Sequence, residues 1–223
     1  MIRHPYRPSC HRPAWLCAIL ALALLAAAPV AVALAKQASR AVTIEALEAQ
    51  EMLTQEARTT FLVDVRTPAE YMLLGHPPQA YNIPWLLLTG DFQLQGGPFQ
   101  GGKAPYTGYQ KSGAPNPDFV GVAQSLFKPE DRLIIISSDG DDGADAADEL
   151  AKAGFKRVYN IRHGFSGQPQ TTPELDKLAE RYSPFHGQRG RVNGWVYWGL
   201  PVSNAMDPKY VYPPDLKRMQ TLK

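Results

Sequence analysis

Cysteine is nearly missing from this 223-residue chain: its two thiols, Cys10 and Cys17, both fall in the first 17 positions. From Lys36 onward there is none, so that part of the chain can form no disulfide, carry no persulfide and take no part in thiol exchange. Its stability must come from packing and hydrogen bonding alone. A basic cluster is also lacking. Three of the 23 basic residues and none of the 21 acidic ones lie before Lys36, so the remainder is close to neutral. That balance excludes an electrostatic nucleic-acid footprint, and no nucleic-acid partner is expected. Internal repeats and sustained low-complexity tracts are absent too. With 44% hydrophobic residues, the length favours one elaborated domain.

What is present begins with Arg3, Arg7 and Arg12, an uncharged run from Ala14 to Ala35, and the small-x-small ending Ala33-Leu34-Ala35. This pattern reads as a secretory signal peptide over 1–35 with cleavage after Ala35, which sends the protein to the periplasm or outside the cell. The alternative is an uncleaved membrane anchor, the one way in which a membrane becomes a partner. Residues 36–41 read as a linker. Thr43 is the expected N-cap of a first helix with apolar positions Ile44, Leu47 and Met52.

Two nearly continuous apolar runs, Thr60–Val65 and Arg132–Ser137, have the composition of strands buried on both faces of a parallel sheet. Ala80–Pro84 and Lys156–Ile161 supply two further strands. Thr67-Pro68-Ala69-Glu70 gives a helix start with proline in the first turn. Asp118–Phe127, Ala144–Ala151 and Pro173–Tyr182 read as further helices, so the fold class is α/β, a parallel sheet flanked by helices on both faces. Leu88–Pro117, rich in glycine and proline, reads as a long loop. Its aromatics Phe92, Phe99, Tyr106 and Tyr109 suit a recognition surface. Trp195 and Trp198, three apart on an expected short helix, suit the core.

The block Asp64-Val65-Arg66-Thr67-Pro68-Ala69-Glu70-Tyr71, followed by Gly75-His76-Pro77 and Ala80-Tyr81-Asn82-Ile83-Pro84, resembles the amino-terminal signature of rhodanese-like domains. Leu133–Ile136, Ala153-Gly154-Phe155, Val158-Tyr159-Asn160 and Gly164 agree with it, as do Gly194-Trp195 and Gly199-Leu200-Pro201-Val202. The resemblance implies a rhodanese-like domain over 42–202, with insertions at 88–117 and 166–193 and a carboxyl-terminal extension at 203–223. It also implies that Asp64 and Arg66 brace the active-site edge and that His76 orders the turn after the first signature helix.

One departure bears on function. Active rhodaneses carry Cys-x-x-Gly-x-Arg-Ser at the loop where sulfur is held; here the same spacing gives Ser137-Ser138-Asp139-Gly140-Asp141-Asp142-Gly143. A serine hydroxyl carries no sulfane sulfur, and Asp142 stands where the family has an anion-binding arginine. Asp139, Asp141, Asp142, Asp145, Asp148 and Glu149 crowd six acids into this stretch, which opposes thiosulfate or phosphate by Coulomb repulsion. Their simplest role is to favour the positive end of the next helix and to form its solvated face.

The loop has no calcium-loop spacing and no Gly-x-Ser-x-Gly elbow, so no metal and no cofactor are expected. Asp64, Ser137 and His163 each follow a strand and could gather at the carboxyl edge of the sheet, where such folds bind ligands. The expectation is a catalytically inactive homologue with no catalytic residue, acting through a protein partner or small ligand at that edge. Asp64, Arg66 and His163 are its binding candidates. The alternative is an enzyme with non-cysteine or cation-dependent chemistry at the same loop.

Overall fold

A computed structural model describes residues 36–94, 106–188 and 190–212. The reading of 1–35 as a leader lies outside the described residues, as does the end of the extension beyond Tyr212.

Five parallel strands form the central sheet: β1 (Val42–Ile44), β2 (Thr60–Asp64), β3 (Tyr81–Asn82), and, later in the chain, Arg132–Ile136 and Arg157–Ile161. Between these come a hairpin of β4 (Leu86–Leu94) and β5 (Tyr106–Pro115), so the last two sheet strands are β6 and β7. The sheet order is β1-β7-β6-β2-β3. Five α-helices accompany it among the described residues: α1 (Ala46–Gln55), α2 (Pro68–Leu74), α3 (Phe119–Leu126), α4 (Asp141–Lys152) and α5 (Pro173–Tyr182).

The apolar runs are continuous because both sheet faces are covered. Alternate side chains of β6 go to opposite cores. Ile134 and Ile136 join residues of α1, α2 and α5 with Trp195 and Trp198, while Leu133 and Ile135 join residues of α3 and α4. Each of these side chains is fully buried, a contribution of about 1.5–3 kcal/mol apiece.

Several local expectations change. Thr43 is not an N-cap: Val42–Ile44 pairs with Tyr159–Ile161, which commits the Thr43 backbone to the sheet. Glu45 takes the cap position without a side-chain cap bond. α4 begins at Asp141, three residues before the expected start. Gly140 adopts φ +105°, and the Ala144 N–H reaches its carbonyl at 3.0 Å, which draws Asp141, Asp142 and Gly143 into the first turn.

The segment read as a loop over 88–117 is largely an antiparallel hairpin with irregular register, pairing Leu88 with Lys111. Breaks in register are what let a glycine-bearing ladder form. Its stem is closed by Asn116, whose N–H donates to the Trp85 carbonyl at 2.7 Å and whose side-chain amide donates to that of Pro84 at 3.0 Å. Of the four aromatics there, Phe92, Tyr106 and Tyr109 lie on these strands, and Phe99 lies outside the described residues. Trp195 and Trp198 are buried as expected, but on turns rather than a helix. The extension adds to the sheet: Val211 bridges Asn82 in parallel, and Ser203 bridges His76.

Candidate functional site

β2, β6 and β7 end side by side, bringing Asp64, Ser137 and His163 to one edge. Asp64 is fully buried, and Arg66 turns back onto it. The Arg66 Nε donates to Oδ1 at 2.9 Å and Nη2 donates to Oδ2 at 2.6 Å. The same Nη2 donates to the Gly75 carbonyl at 2.9 Å, and the guanidinium lies 3.9 Å over the Phe165 ring. Asn82 completes the brace by donating to the Asp64 and Arg66 carbonyls at 3.1 and 2.8 Å. These groups hold the start and the end of α2 together.

His76 works nearby. Its ring stacks on Tyr71 at 3.6 Å, with Nδ1 3.1 Å from the Pro77 carbonyl and Nε2 3.2 Å from that of Ala205.

Ser137 opens the loop after β6 and is 1% exposed. Its Oγ accepts the Gly140 N–H at 2.9 Å. The Ser137 and Ser138 carbonyls accept the N–H groups of Phe165 and Ser166 at 2.7 and 2.8 Å. Three glycines make this closure possible, among them Gly164, where a side chain would lie 2.3 Å from the Ser137 carbonyl. A side chain at Gly140 would strike the Arg162 carbonyl, and one at Gly143 would lie 2.4 Å from Asn160 Oδ1 and 3.1 Å from Ser137 Oγ. Asn160, fully buried on β7, donates to the Gly140 carbonyl at 3.1 Å. It was missed as a site residue, although a polar side chain inside a buried strand was its signal.

Lys111 was missed as well. It reaches from β5 to sit 3.2 Å from Asp142 Oδ2 and 3.6 Å from Glu70 Oε1. Ser138 donates its hydroxyl to the same Glu70 oxygen at 2.9 Å. Burial alone would raise the Glu70 carboxyl, but the Thr67 hydroxyl and amide, Lys111 and Ser138 outweigh it and hold it below its ordinary value. Burial likewise opposes the Lys111 charge, yet Glu70 and Asp142 raise its pKa. No motif announces a contact between residues 31 apart on different elements.

All six acids have partners, on a face that stays open to solvent: Asp142, Asp145 and Glu149 keep 35%, 45% and 39% of their side-chain surface exposed. Asp139 lies 3.7 Å from Arg191, and Glu149 lies 3.3 Å from Lys152. Asp141 and Asp145 meet Lys36, and Asp148 binds residues 39–41. The segment read as a linker is therefore fastened to α4.

His163 is buried beside Glu45, 3.7 Å from its Oε2, and neither ring nitrogen has a hydrogen-bond partner among the described residues. Burial, helped by Arg162, lowers its pKa to about 4, so it is neutral near pH 7. Burial also raises the Glu45 carboxyl against the pull of Arg162.

Asp64, Ser137 and His163 share an edge, but no hydrogen-bonded relay links them. The Asp64 carboxylate is held by Arg66, Ser137 Oγ by Gly140, and the His163 ring by neither. Among the described residues, no group of three or more His, Cys, Asp or Glu has metal-site geometry, and no helix is long and apolar enough to cross a membrane. A cleft of about 400 Å³ opens at the other end of the sheet, by the amino ends of β2 and β3, with Gln50, Phe61, Gln79, Tyr81 and Tyr210 in its wall.

Comparison with known proteins agrees with this architecture. The chain is 31% identical over 113 residues to the senescence-associated protein DIN1 of Raphanus sativus, covering 51% of this chain and 49% of that protein. It is 28% identical over 103 residues to the chloroplastic rhodanese-like domain-containing protein 15 of Arabidopsis thaliana, covering 46% and 45%. The chain thus spans about half the length of these curated relatives. The crystal structure of Rv0390 from M. tuberculosis shares the fold, with a TM-score of 0.51 and 22% identity over 75% of this chain and all of that one. The rhodanese-like domain matches residues 45–168, more than half the sequence, and with the parallel sheet and the loop after β6 this establishes that the chain belongs to the rhodanese-like domain family.

Proposed function

We propose that this rhodanese-like domain is exported and works by docking a protein partner, without sulfur transfer. The observation that carries the reading is Ser137: where the family resemblance puts a sulfur-carrying cysteine, this chain has a buried hydroxyl occupied by the Gly140 N–H. No cysteine elsewhere in 36–223 replaces it. The family's basic position is Asp142, and the cation beside it, Lys111, is engaged with Asp142 and Glu70.

A partner fits this edge better than a small ligand does. Asp64, Arg66 and His163 are at most 3% exposed, so a ligand cannot reach them without displacing protein. The groups open to solvent beside them include Asp139, Asp141 and Asp142 at the α4 start and Lys111 on β5, a surface suited to another chain.

The test is a thiosulfate–cyanide assay on the purified protein, with Ser137→Ala beside it and a panel of ester and phosphate substrates. The expected result is no turnover above the uncatalysed rate. Turnover that Ser137→Ala abolishes would overturn the reading.

A further inference from the structure

Asp141, Asp145 and Asp148 are spaced four and three residues apart, which places them on one stripe of α4. A single segment of chain occupies that stripe. The Lys36 main-chain nitrogen donates to Asp141 Oδ1 at 2.9 Å, and the Lys36 ammonium pairs with Asp145. Asp148 accepts four donors: the Ser39 N–H at 2.7 Å and hydroxyl at 2.6 Å on one oxygen, and the Arg40 and Ala41 N–H groups at 2.7 and 2.9 Å on the other. Desolvation is the largest single influence on Asp148 and would raise its pKa, but the four bonds together outweigh it and lower the pKa to about 2.

The outermost contact falls on Lys36, the residue that follows Ala33-Leu34-Ala35. We propose that the acidic stripe of α4 is a docking site for the chain's own processed amino terminus: hydrolysis of the Ala35–Lys36 bond leaves a Lys36 α-ammonium seated on Asp141. The proposal rests on reading residues 1–35 as a removable leader. Water supplies the balance, with Ala35 leaving as a carboxylate and the Lys36 amide nitrogen becoming a protonated amine. The neutral amide offers Asp141 one donor, whereas the ammonium offers three and a full charge, so processing strengthens the contact.

The positive end of α4 opposes a cation, but Asp141 and Asp142 lie in its first turn and Asp139 just before it. The nearby cations do not exhaust these acids. Lys111 is on Asp142, Arg191 is 3.7 Å from Asp139, and the Lys36 side chain is on Asp145, leaving Asp141 to the main-chain nitrogen. The stripe thereby gains a use that the sulfur-site reading of the loop does not supply: it anchors the entry of the chain beside β1.

The experiment expresses the full chain with its leader in a bacterial host, recovers the protein from outside the cytoplasm, and reads its first residue by mass spectrometry. The rate at which an acylating reagent labels the α-amine is then measured at pH 7. Wild type, Asp141→Asn and Glu149→Gln are compared, with thermal unfolding as the check on folding. The expected first residue is Lys36. Its amine should label about tenfold more slowly than the same amine in urea, the effect of a one-unit rise above the ordinary α-amino value of roughly 7.7–8.0. Asp141→Asn should remove most of that protection and Glu149→Gln none. A retained leader, or another first residue, overturns the leader reading and the proposal together. A Lys36 start with equal labelling in wild type and Asp141→Asn overturns the docking alone and leaves the leader reading standing.

Discussion

Two helix amino termini stand beside each other at the carboxyl edge of the sheet, on the adjacent strands β2 and β6, and they are finished in opposite ways. At α2 the solution is local. The Thr67 hydroxyl accepts the Glu70 N–H, the Glu70 carboxylate accepts the Thr67 N–H, and Pro68 sets the first turn. At α4 a glycine stands at the cap with no side-chain bond, and the acids around it are matched by Lys36, Lys111 and Arg191 from distant parts of the chain. Both ends carry the same positive dipole. One is completed within four residues; the other is an assembly point for three other segments, which is a different thing from an open anion cradle.

The sharpest way to break the comparison is to remove what supports the local solution from below. Arg66→Ala leaves Asp64 as an uncompensated buried charge and frees the Gly75 carbonyl at the other end of α2. Removing one partner of a buried pair costs about 3–5 kcal/mol. At roughly 2–4 °C per kcal/mol for a chain of this size, the melting temperature should fall by about 10 °C. A calorimetric melt within about 2 °C of wild type would mean that the capping box holds α2 unaided.

The assembled end can be stressed from the opposite side through His163. Its folded pKa of about 4 lies below the ordinary histidine value, so its contribution to stability is complete above about pH 6.5 and is lost as pH falls toward 4. Glu45 opposes this from the adjoining cap of α1: burial raises its folded pKa, so it favours the fold as pH falls through that raised value toward the ordinary carboxyl value, and the gain is complete below it. The loop before α4 rests on the Arg162–Ser166 segment, so protonating His163 should loosen α4 before α2. The urea midpoint should fall between pH 6.5 and 4, with hydrogen exchange rising first around Asp139–Ala144. His163→Gln should flatten that fall.

The same contrast decides how much the sequence reveals. The α2 start was readable because its cap, proline and partner acid lie within four residues, and the buried strands were readable because both sheet faces demand apolar side chains. The α4 start was misplaced by three residues, since the reason it begins at Asp141 is the conformation of Gly140 pressed against Arg162. Thr43 was misassigned because pairing with Asn160, more than a hundred residues away, outcompetes its local capping tendency. The hairpin was hidden by glycines and prolines that mark turns in most contexts, and with it went Lys111. Asp64, Ser137 and His163 were placed on the right edge by topology, but that they are buried and not joined to each other depends on Arg66, Gly140 and Glu45 together.

A smaller effect comes from the cap itself. Thr67→Ala removes the side-chain acceptor for the Glu70 N–H while leaving Pro68 and the Asp64–Arg66 brace, so the loss should be about 1 kcal/mol in urea unfolding. Thr67→Ser should recover most of it. If Thr67→Ala were neutral, α2 would be held from a distance as α4 is, and the contrast between the two ends would fail.

The smallest effect is expected at the junction of the two ends. Lys111 is about a third exposed and meets carboxylates that are themselves partly exposed, so solvent and salt screen the pair. Lys111→Met should cost under about 1 kcal/mol, and less at high salt. Its clearer signature is at Glu70. Without Lys111 the Glu70 carboxyl loses a stabilising cation while burial and the nearby Asp142 remain, so its pKa should move upward in a carboxyl-detected NMR titration. Asp142→Asn in the Lys111→Met background should bring it part of the way back, because it removes a like charge from the same corner. An unmoved Glu70 in Lys111→Met would mean that Thr67 and Ser138 alone set its charge, and the hairpin would then contribute nothing to the electrostatics of the loop it reaches.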